Sequence, residues 1–152
     1  MNDIGFALLT HRDPDQMRRL VTRLKYMFPH SRIVCHHAFD QCPLPEGMFP
    51  DLEFVRPPVH TRWGDFTISD ALLLTLRRLV EGPQAPDWII VLSGADYPIK
   101  SAAQIHNDLA GGGFDSYIET VRIDPGNLRN GWERSAYLRW YGRRLCLPYI
   151  NR

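Results

Sequence analysis

Residues 87–101 combine a hydrophobic run with polar groups at its end. The apolar run at 88–92 is short and rich in β-branched residues, which is typical of a strand buried on both faces of a parallel sheet. Small residues and one carboxylate follow at 93–96, and Pro98 prevents the strand from continuing. In open α/β sheets ligands bind at the carboxyl ends of the strands, so Asp96 stands where it can hold a substrate group. The alternative is that Asp96 only caps a turn.

A second group of chemically versatile side chains lies between Cys35 and Cys42. It is the densest set of potential metal ligands in the sequence, but its spacing matches no zinc-binding pattern. Adjacent residues on an extended chain point to opposite faces, so His36 and His37 cannot both meet one ion. We therefore expect one side chain at the carboxyl end of this strand, His37 or Asp40, to contact a ligand while its neighbours pack.

Residues 120–152 are rich in arginine and aromatic side chains. Such side chains can stack on bases or sugar rings and can clamp phosphate or carboxylate groups. A solvated basic face is the alternative interpretation. No helix-turn-helix, RNP or zinc-finger pattern accompanies the run, which argues against nucleic acid as the partner. Arg134 and Trp140 are the candidates for such contacts.

The elements that must position these groups alternate between strand and helix. Apolar runs predict strands at 4–9, 32–36, 53–55, 88–92 and 116–119. Amphipathic spacing predicts one helix capped by Asp13, a second capped by Asp65 or Thr67, and a third from Ser101 to Leu109. Strand–helix–strand units of this kind are right-handed and build a parallel sheet. The sequence therefore predicts an α/β domain.

The two longer predicted helices differ in how much of their surface is apolar. The helix after Asp13 has one hydrophobic stripe, with Pro14 at its first position and Pro29 after its end. The second helix adds Leu73 and Leu74 beside its main stripe. We therefore expect the second helix to be more deeply buried than the first.

Length and composition limit the class of protein. The chain has 152 residues, of which 44% are hydrophobic and 23% charged, which predicts one soluble domain. Its net charge of +1 argues against wholesale attraction to nucleic acid or a membrane. Cys35, Cys42 and Cys146 do not have the spacing of a disulfide framework, which favours a reducing compartment. No signal peptide or membrane span is recognisable, so we expect a cytoplasmic protein whose contact with a membrane, if any, is peripheral.

Several separated segments occur in an informative order along the chain. They are the first strand with His11 after it, the helix that opens Asp13-Pro14, the strand ending in His36-His37, the segment Arg62-Trp63-Gly64, the leucine-rich helix, and Leu-Ser-Gly-Ala-Asp-Tyr-Pro-Ile-Lys-Ser at 92–101. In this order they resemble the core-2/I-branching β-1,6-N-acetylglucosaminyltransferase family, which includes the peptide O-xylosyltransferases. The resemblance extends over residues 4–119.

The resemblance implies a fold and a reaction. Members of that family have a GT-A-type, Rossmann-like fold, in which a mostly parallel sheet has helices on both faces. They transfer a sugar from a UDP-sugar to a hydroxyl group with inversion of configuration. The resemblance therefore implies a donor of the UDP-N-acetylglucosamine or UDP-xylose class and a glycan or other hydroxyl-bearing acceptor.

The same resemblance assigns donor-binding roles to individual positions. The residues expected to face the uridine, shape the donor pocket or border the sugar are His11, His37, Arg62, Trp63, Gly64, Asp96 and Tyr97. The sequence departs from the family at one place. Where the family usually has His-Val-Asp after the second strand, this chain has His36-His37-Ala38, so the nucleoside contact of that Asp has no direct counterpart.

Release of a nucleoside diphosphate requires a metal ion or basic side chains near the phosphates. The one literal Asp-x-Asp, Asp13-Pro14-Asp15, opens a helix, where both carboxylates already have a capping role. The resemblance agrees, because it implies a metal-independent enzyme without a cofactor. It also places the phosphate-binding basic residues and the catalytic base beyond Arg152. Within this chain, Glu119 at the end of a predicted strand is the candidate base.

We therefore expect one incomplete domain, in which residues 1–119 form the nucleotide-sugar-binding half and residues 120–152 begin the acceptor side. Two other functions stay open. One is a catalytically inactive domain that binds a nucleotide sugar or a carbohydrate. The other is a metal-dependent hydrolase built on His36, His37 and Asp40, which would require a bound divalent ion.

Overall fold

The computed structural model describes residues 3–62, 64–82 and 84–118. These residues form four strands and three helices in the order β1 (Ile4–Thr10), α1 (Pro14–Met27), β2 (Ile33–His37), β3 (Glu53–Phe54), α2 (Thr67–Glu81), β4 (Trp88–Ser93) and α3 (Ala102–Gly111). The predicted alternation is confirmed, with small shifts at the ends of elements. The strand predicted at 116–119 is wrong for residues 116–118, which are not in a strand, and Glu119 lies outside the described residues.

The four strands form one parallel sheet in the order β3-β2-β1-β4. This is the order of the first strands of the doubly wound nucleotide-binding fold, in which the progression of strands reverses between β1 and β4. Leu9 is therefore next to His36 of β2 on one side and Ser93 of β4 on the other. The predicted Rossmann-like α/β sheet is confirmed.

Helices cover both faces of the sheet, as predicted. Phe6 and Leu8 of β1 face a cluster to which α1 contributes Met17, Leu20, Val21 and Leu24, and against which Ile105 and Leu109 of α3 pack. Ala7 faces the opposite side, in a cluster with Val34 and with Leu76 and Leu79 of α2. Successive strand residues point to opposite faces, so β1 supplies both clusters.

The starts of α1 and α3 were predicted from local capping signals, and both are confirmed. Asp13 accepts a hydrogen bond from the backbone N–H of Gln16 at 3.0 Å, and Pro14 occupies the first turn of α1. Ser101 and Gln104 form a reciprocal capping box at α3. At α2 the predicted cap is wrong, because Phe66 occupies the N-cap position and no side chain among the described residues caps the helix there. The carboxylate of Asp65 instead accepts from the backbone N–H of Thr67 at 3.0 Å, in the turn that enters this helix.

The burial of α2 and β4 differs from the sequence-based expectations. Leu73 and Val80 are 56% and 59% exposed, and α2 buries fewer residues than α1, so the expected deeper burial of α2 is wrong. Val91 is 47% exposed because β4 is an edge strand of the sheet within the described residues. The prediction of a strand buried on both faces is wrong for this part of the chain. The helix α2 packs mainly on β1 and β2. Its apolar surface is wider than the area in contact with these two strands, so part of that surface is exposed.

The chain divides into two units, Met1–Gly113 and Phe114–Arg152. The first contains the whole sheet and its helices. In the second, residues 114–118 are described, and the rings of Phe114 and Tyr117 meet edge to face with centroids 5.8 Å apart. None of the helices in the described ranges is long and apolar enough to cross a membrane.

Candidate functional site

Two pockets lie at the carboxyl ends of the strands. One, here called the β1–β2 pocket, is formed where β1 and β2 end, and the other, the β1–β4 crevice, where β1 and β4 end. Leu9 and His11 line both, so the two pockets adjoin each other at the residues that end and follow β1. In open α/β sheets ligands bind at this edge, next to the reversal of strand order. This position makes the two pockets the candidate site.

The β1–β4 crevice has a volume of about 410 Å³. Its lining residues come from the end of β1, the start of α1 and the turn after β4: Leu9, His11, Arg12, Asp13, Gln16, Ser93, Gly94 and Ala95. Gly94 donates its N–H to the carbonyl of Leu9 at 3.0 Å, and a Cβ at this position would lie 3.1 Å from Cγ2 of Thr10. Glycine therefore lets the end of β4 lie against the end of β1.

Asp96 organises the turn that follows β4. Its Oδ2 accepts a hydrogen bond from the N–H of Ser93 at 2.6 Å, and its own N–H donates to the carbonyl of Ser93 at 3.2 Å. This is the turn-capping role that the sequence left open as the alternative. Asp96 lies directly after the lining residues 93–95, whereas the half-exposed Tyr97 lines a different groove along α1. Contacts of Asp96 and Tyr97 with a sugar stay predictions.

The β1–β2 pocket is smaller, at about 180 Å³, and its walls are mainly apolar. Leu9, Ile68 and Ala71 supply the apolar surface, and Gln41 and Arg62 are among its polar residues. A narrow pocket with apolar walls and a few polar groups is suited to a flat ring that carries hydrogen-bonding groups on its edge.

Hydrogen bonds hold the loop that closes the β1–β2 pocket. The amide of Gln41 donates to the carbonyl of Thr61 at 3.3 Å, and the N–H of Arg62 donates to Oγ1 of Thr67 at 3.0 Å. Gly64 has a φ of +73°, a left-handed conformation that side-chain-bearing residues rarely adopt. Arg62 and Gly64 of the predicted segment thus lie in the connection that leads into α2.

Four of the predicted site residues fall outside the part of the chain that the structure describes. They are Trp63, Glu119, Arg134 and Trp140. Their roles in donor binding, catalysis and acceptor binding stay predictions.

His37 is buried, and it lines neither pocket. Its Nε2 lies 2.6 Å from the carbonyl oxygen of Cys42, and its Nδ1 lies 2.7 Å from Oγ1 of Thr10. The carbonyl can only accept, so Nε2 carries the proton, and Nδ1 accepts from the Thr10 hydroxyl. Both ring nitrogens are therefore used to join β1, β2 and the following turn. Asp40, the other predicted ligand contact, lies 2.6 Å from Nδ1 of His60.

His36 is the histidine of β2 that lines the β1–β2 pocket. Its Nε2 lies 3.0 Å from the backbone nitrogen of Val59, which positions the ring at the pocket wall. Sequence reasoning named His36 only as a possible metal ligand, and it missed Arg12, Gln16 and Gln41. Alternation along β2 was the available signal, because His36 and Val34 share a face of the strand and Val34 packs on the α2 side. Arg12 directly follows the residue predicted to face the ligand.

The candidate metal-binding groups have other partners. Asp13 caps α1, and Oδ1 of Asp15 lies 2.8 Å from Nη2 of Arg18, so the Asp-x-Asp segment is used by the helix itself. Within residues 3–62, 64–82 and 84–118, no three side chains of His, Cys, Asp or Glu are placed to hold one ion. The group His36, His37 and Asp40 is therefore not assembled as the hydrolase interpretation required.

A larger cavity, of about 710 Å³, lies at the opposite, amino end of the strands. Arg32 is among its lining residues, but the guanidinium is engaged by the carbonyls of Leu79 and Arg78 at 3.2 and 3.1 Å and by Glu53 at 2.8 Å. These contacts tie the end of α2 to the sheet. The side chains around this cavity therefore have a structural role, and the carboxyl edge of the sheet is the candidate site.

A protein-family model, described as Core-2/I-Branching enzyme, matches residues 4–139. The match covers most of the chain and includes every strand and helix described above. The chain belongs to the core-2/I-branching enzyme family. This is a glycosyltransferase family, so the family that the sequence motifs suggested is confirmed. A search among curated proteins found no significant match.

Burial sets the protonation of three groups near the carboxyl edge of this core-2/I-branching chain. It lowers the pKa of His36 and His37 below their usual value, while hydrogen bonds with Val59 and Cys42 oppose the shift in part. Both rings are therefore neutral near pH 7. Burial also raises the pKa of the Cys35 thiol to about 12, so this cysteine is protonated and unreactive.

The neutral histidines predict that the protein loses stability in mild acid. Between the lowered folded pKa values and about 6.5, the unfolded chain binds more protons than the folded one, so the free energy of unfolding decreases as pH falls. The slope contributed by each histidine is at most about 1.4 kcal/mol per pH unit. Urea denaturation between pH 8 and pH 5, roughly the range in which only histidines titrate, measures it. A free energy of unfolding that does not change between about pH 6.5 and pH 5 would contradict the prediction.

Proposed function

We propose that this chain is the donor-binding part of an inverting glycosyltransferase of the GT-A type, which takes a UDP-sugar of the N-acetylglucosamine or xylose class and transfers the sugar to a hydroxyl group. The observation that carries this proposal is the position of two adjoining pockets at the reversal of strand order, in a chain of a glycosyltransferase family. This is where doubly wound folds bind nucleotides.

The shapes of the two pockets suit different parts of a UDP-sugar. The small β1–β2 pocket accommodates the uracil ring between Leu9 and Ala71, with Gln41 and Arg62 at its edge. The β1–β4 crevice is more than twice as large and is lined by Gln16 and by the turn after β4, so it accommodates the sugar. The diphosphate then lies between them, next to the residues that follow β1.

His11 and Arg12 are the basic groups at that position. In glycine-rich nucleotide-binding folds the free N-terminus of the first helix holds the phosphates. Here the carboxylate of Asp13 occupies the start of α1 and accepts from the N–H of Gln16. Arg12 is exposed, lines the crevice and has no acidic partner among the described residues. Its guanidinium is therefore available to bind diphosphate oxygens and to stabilise the UDP leaving group.

The proposed reaction follows from these positions. The acceptor hydroxyl attacks the anomeric carbon from the face opposite the diphosphate, the new C–O bond forms as the bond to the diphosphate oxygen breaks, and the configuration inverts. A carboxylate takes the hydroxyl proton, and UDP leaves with the electron pair of the broken bond. The family resemblance places this base beyond Arg152, and within the chain Glu119 is the candidate.

The proposal is tested by isothermal titration calorimetry with UDP, UDP-N-acetylglucosamine and UDP-xylose, first in EDTA and then with manganese. We expect UDP and one of the UDP-sugars to bind in EDTA. Arg62→Ala is expected to weaken UDP about fivefold, the effect of losing a hydrogen bond of about 1 kcal/mol. Arg78→Ala, on an exposed part of α2, is the matched control and should leave the affinity unchanged.

Two outcomes would contradict the proposal in different ways. If a folded sample does not bind UDP at all, the nucleotide site is wrong. If binding requires manganese, a metal-dependent site replaces the proposed one. Donor binding without any UDP release in the presence of hydroxyl acceptors would instead favour the catalytically inactive binding domain.

A further inference from the structure

A further concave surface lies along α1. It has a volume of about 500 Å³ and is lined by Arg18, Arg19, Thr22, Arg23 and Tyr26 of α1 and by Tyr97 of the loop after β4. We call it the α1 groove. Half of its lining residues are arginines, and none is acidic. We propose that the α1 groove binds an acidic glycan, a sugar chain that carries carboxylate groups.

Most of the positive charge in the groove is not neutralised by the protein. Arg19 donates from Nε and Nη2 to the amide oxygen of Gln16 at 3.0 and 2.6 Å, and Gln16 is uncharged. The guanidinium of Arg23 lies 5.5 Å from the ring centroid of Tyr26. Within the described residues neither Arg19 nor Arg23 has an acidic partner, whereas Arg18 pairs with Asp15. Planar guanidinium groups bind carboxylates, as they do phosphates, through two parallel hydrogen bonds, so the groove can hold carboxylate groups.

The two tyrosines indicate a sugar chain as the carrier of the anions. Tyr26 is 78% exposed and Tyr97 is 50% exposed, and they reach the groove from different elements. A tyrosine presents an apolar ring face, which can pack on the C–H face of a pyranose, and a hydroxyl group that can bond to its hydroxyls. No aliphatic side chain other than the threonine methyl lines the groove, so it offers no group for insertion into a bilayer.

The dimensions of the groove fit a chain and not a single anion. From Arg18 to Tyr26 the helix rises by about 12 Å. Residues three and four apart on a helix lie on the same face, so the side chains form a continuous track. The hydrogen bond from Arg19 to Gln16 joins this track to the β1–β4 crevice, because Gln16 lines the crevice. A glycan in the groove can thus extend to the crevice. Its role as acceptor rests on the proposed function, but its binding does not.

The test uses hexagalacturonate and its methyl ester, which has the same sugars without the charges. Calorimetry is expected to show binding of the acid and none of the ester. The double variant Arg19→Gln/Arg23→Gln should bind the acid about 30-fold more weakly, because two contacts with charged groups are lost. Tyr26→Ala should also weaken binding. The control Arg77→Gln/Arg78→Gln removes the same charge from α2, on the other face of the sheet, and should leave the affinity unchanged.

The proposal is overturned if the acid does not bind, if the ester binds equally, or if both double variants weaken binding equally. Tighter binding to duplex DNA or to vesicles containing phosphatidylglycerol would assign the groove to another class of partner and would also overturn it. UDP is titrated into the same wild-type sample. If the glycan binds and UDP does not, the glycan site is supported and the proposed donor site is refuted. If UDP binds and the glycan does not, only the glycan site is refuted.

Discussion

Replacing His37 with alanine is expected to lower the free energy of unfolding by about 4 kcal/mol. The substitution leaves a cavity in a buried region and removes the side-chain partner of the Cys42 carbonyl. It also removes one of the two partners of the Thr10 hydroxyl, which keeps Cys35 Sγ at 3.3 Å. A buried polar group without a partner costs roughly 1–3 kcal/mol, and the cavity adds to that cost. Since small domains are stable by only about 5–15 kcal/mol, urea denaturation followed by circular dichroism will show a large shift of the midpoint.

Two variants separate the hydrogen bonds of His37 from its volume. His37→Gln keeps a side chain that can donate to the Cys42 carbonyl, so it should recover part of the lost stability. His30→Ala removes an exposed histidine and is expected to change stability by less than about 0.5 kcal/mol. A loss below about 1 kcal/mol for His37→Ala would show that the ring is not a structural element. It would then be free for the nucleoside contact that the family resemblance implies.

The fold was predictable from the sequence because its signals are local. The capping residues Asp13 and Ser101 and the apolar run that begins at Ile4 each determine an element without reference to the rest of the chain. The position of an element in the sheet is not local in this sense. Trp88–Ser93 has the composition of a central strand, yet it is an edge strand of the described sheet, since apolar composition does not specify which neighbours cover a strand.

The candidate site was predictable only in part. His11 and Arg62 follow or precede regular elements, and both line the pockets at the carboxyl edge. His36 and His37 are adjacent, and a change of one residue in a strand moves a side chain to the other face. The sequence alone did not show which of these two histidines points toward α2. The structure does, because His36 shares its face with Val34.

Asp96 illustrates a different limit. A carboxylate after a strand can hold a ligand or organise a turn, and both uses require the same residue at the same place. The hydrogen bond from the N–H of Ser93 to Asp96 shows that the turn uses it. Arg12 was overlooked for the opposite reason, because one exposed arginine carries no pattern. Its importance appears only when the end of β4 is placed beside it to form the crevice.

Replacing Arg12 with glutamine is expected to weaken the binding of UDP about 30-fold without changing the stability of the fold. A hydrogen bond to a charged group contributes about 1.5–3 kcal/mol, and about 2 kcal/mol corresponds to this change in affinity. Arg12 is exposed and has no acidic partner among the described residues, so its loss leaves no buried group unsatisfied. Calorimetry with UDP measures the affinity, and urea denaturation verifies the stability.

Titration with uridine shows whether Arg12 acts through its charge on the diphosphate or by shaping the nucleoside pocket. If the guanidinium binds the diphosphate, Arg12→Gln should leave the affinity for uridine unchanged, because uridine has no phosphate. The difference in affinity between UDP and uridine should also decrease as salt is added, because salt screens an exposed ion contact. Arg77→Gln makes the same substitution on α2 and should leave both affinities as they are. Equal losses for uridine and UDP would mean that Arg12 shapes the nucleoside pocket, and an unchanged affinity for UDP would place the diphosphate elsewhere.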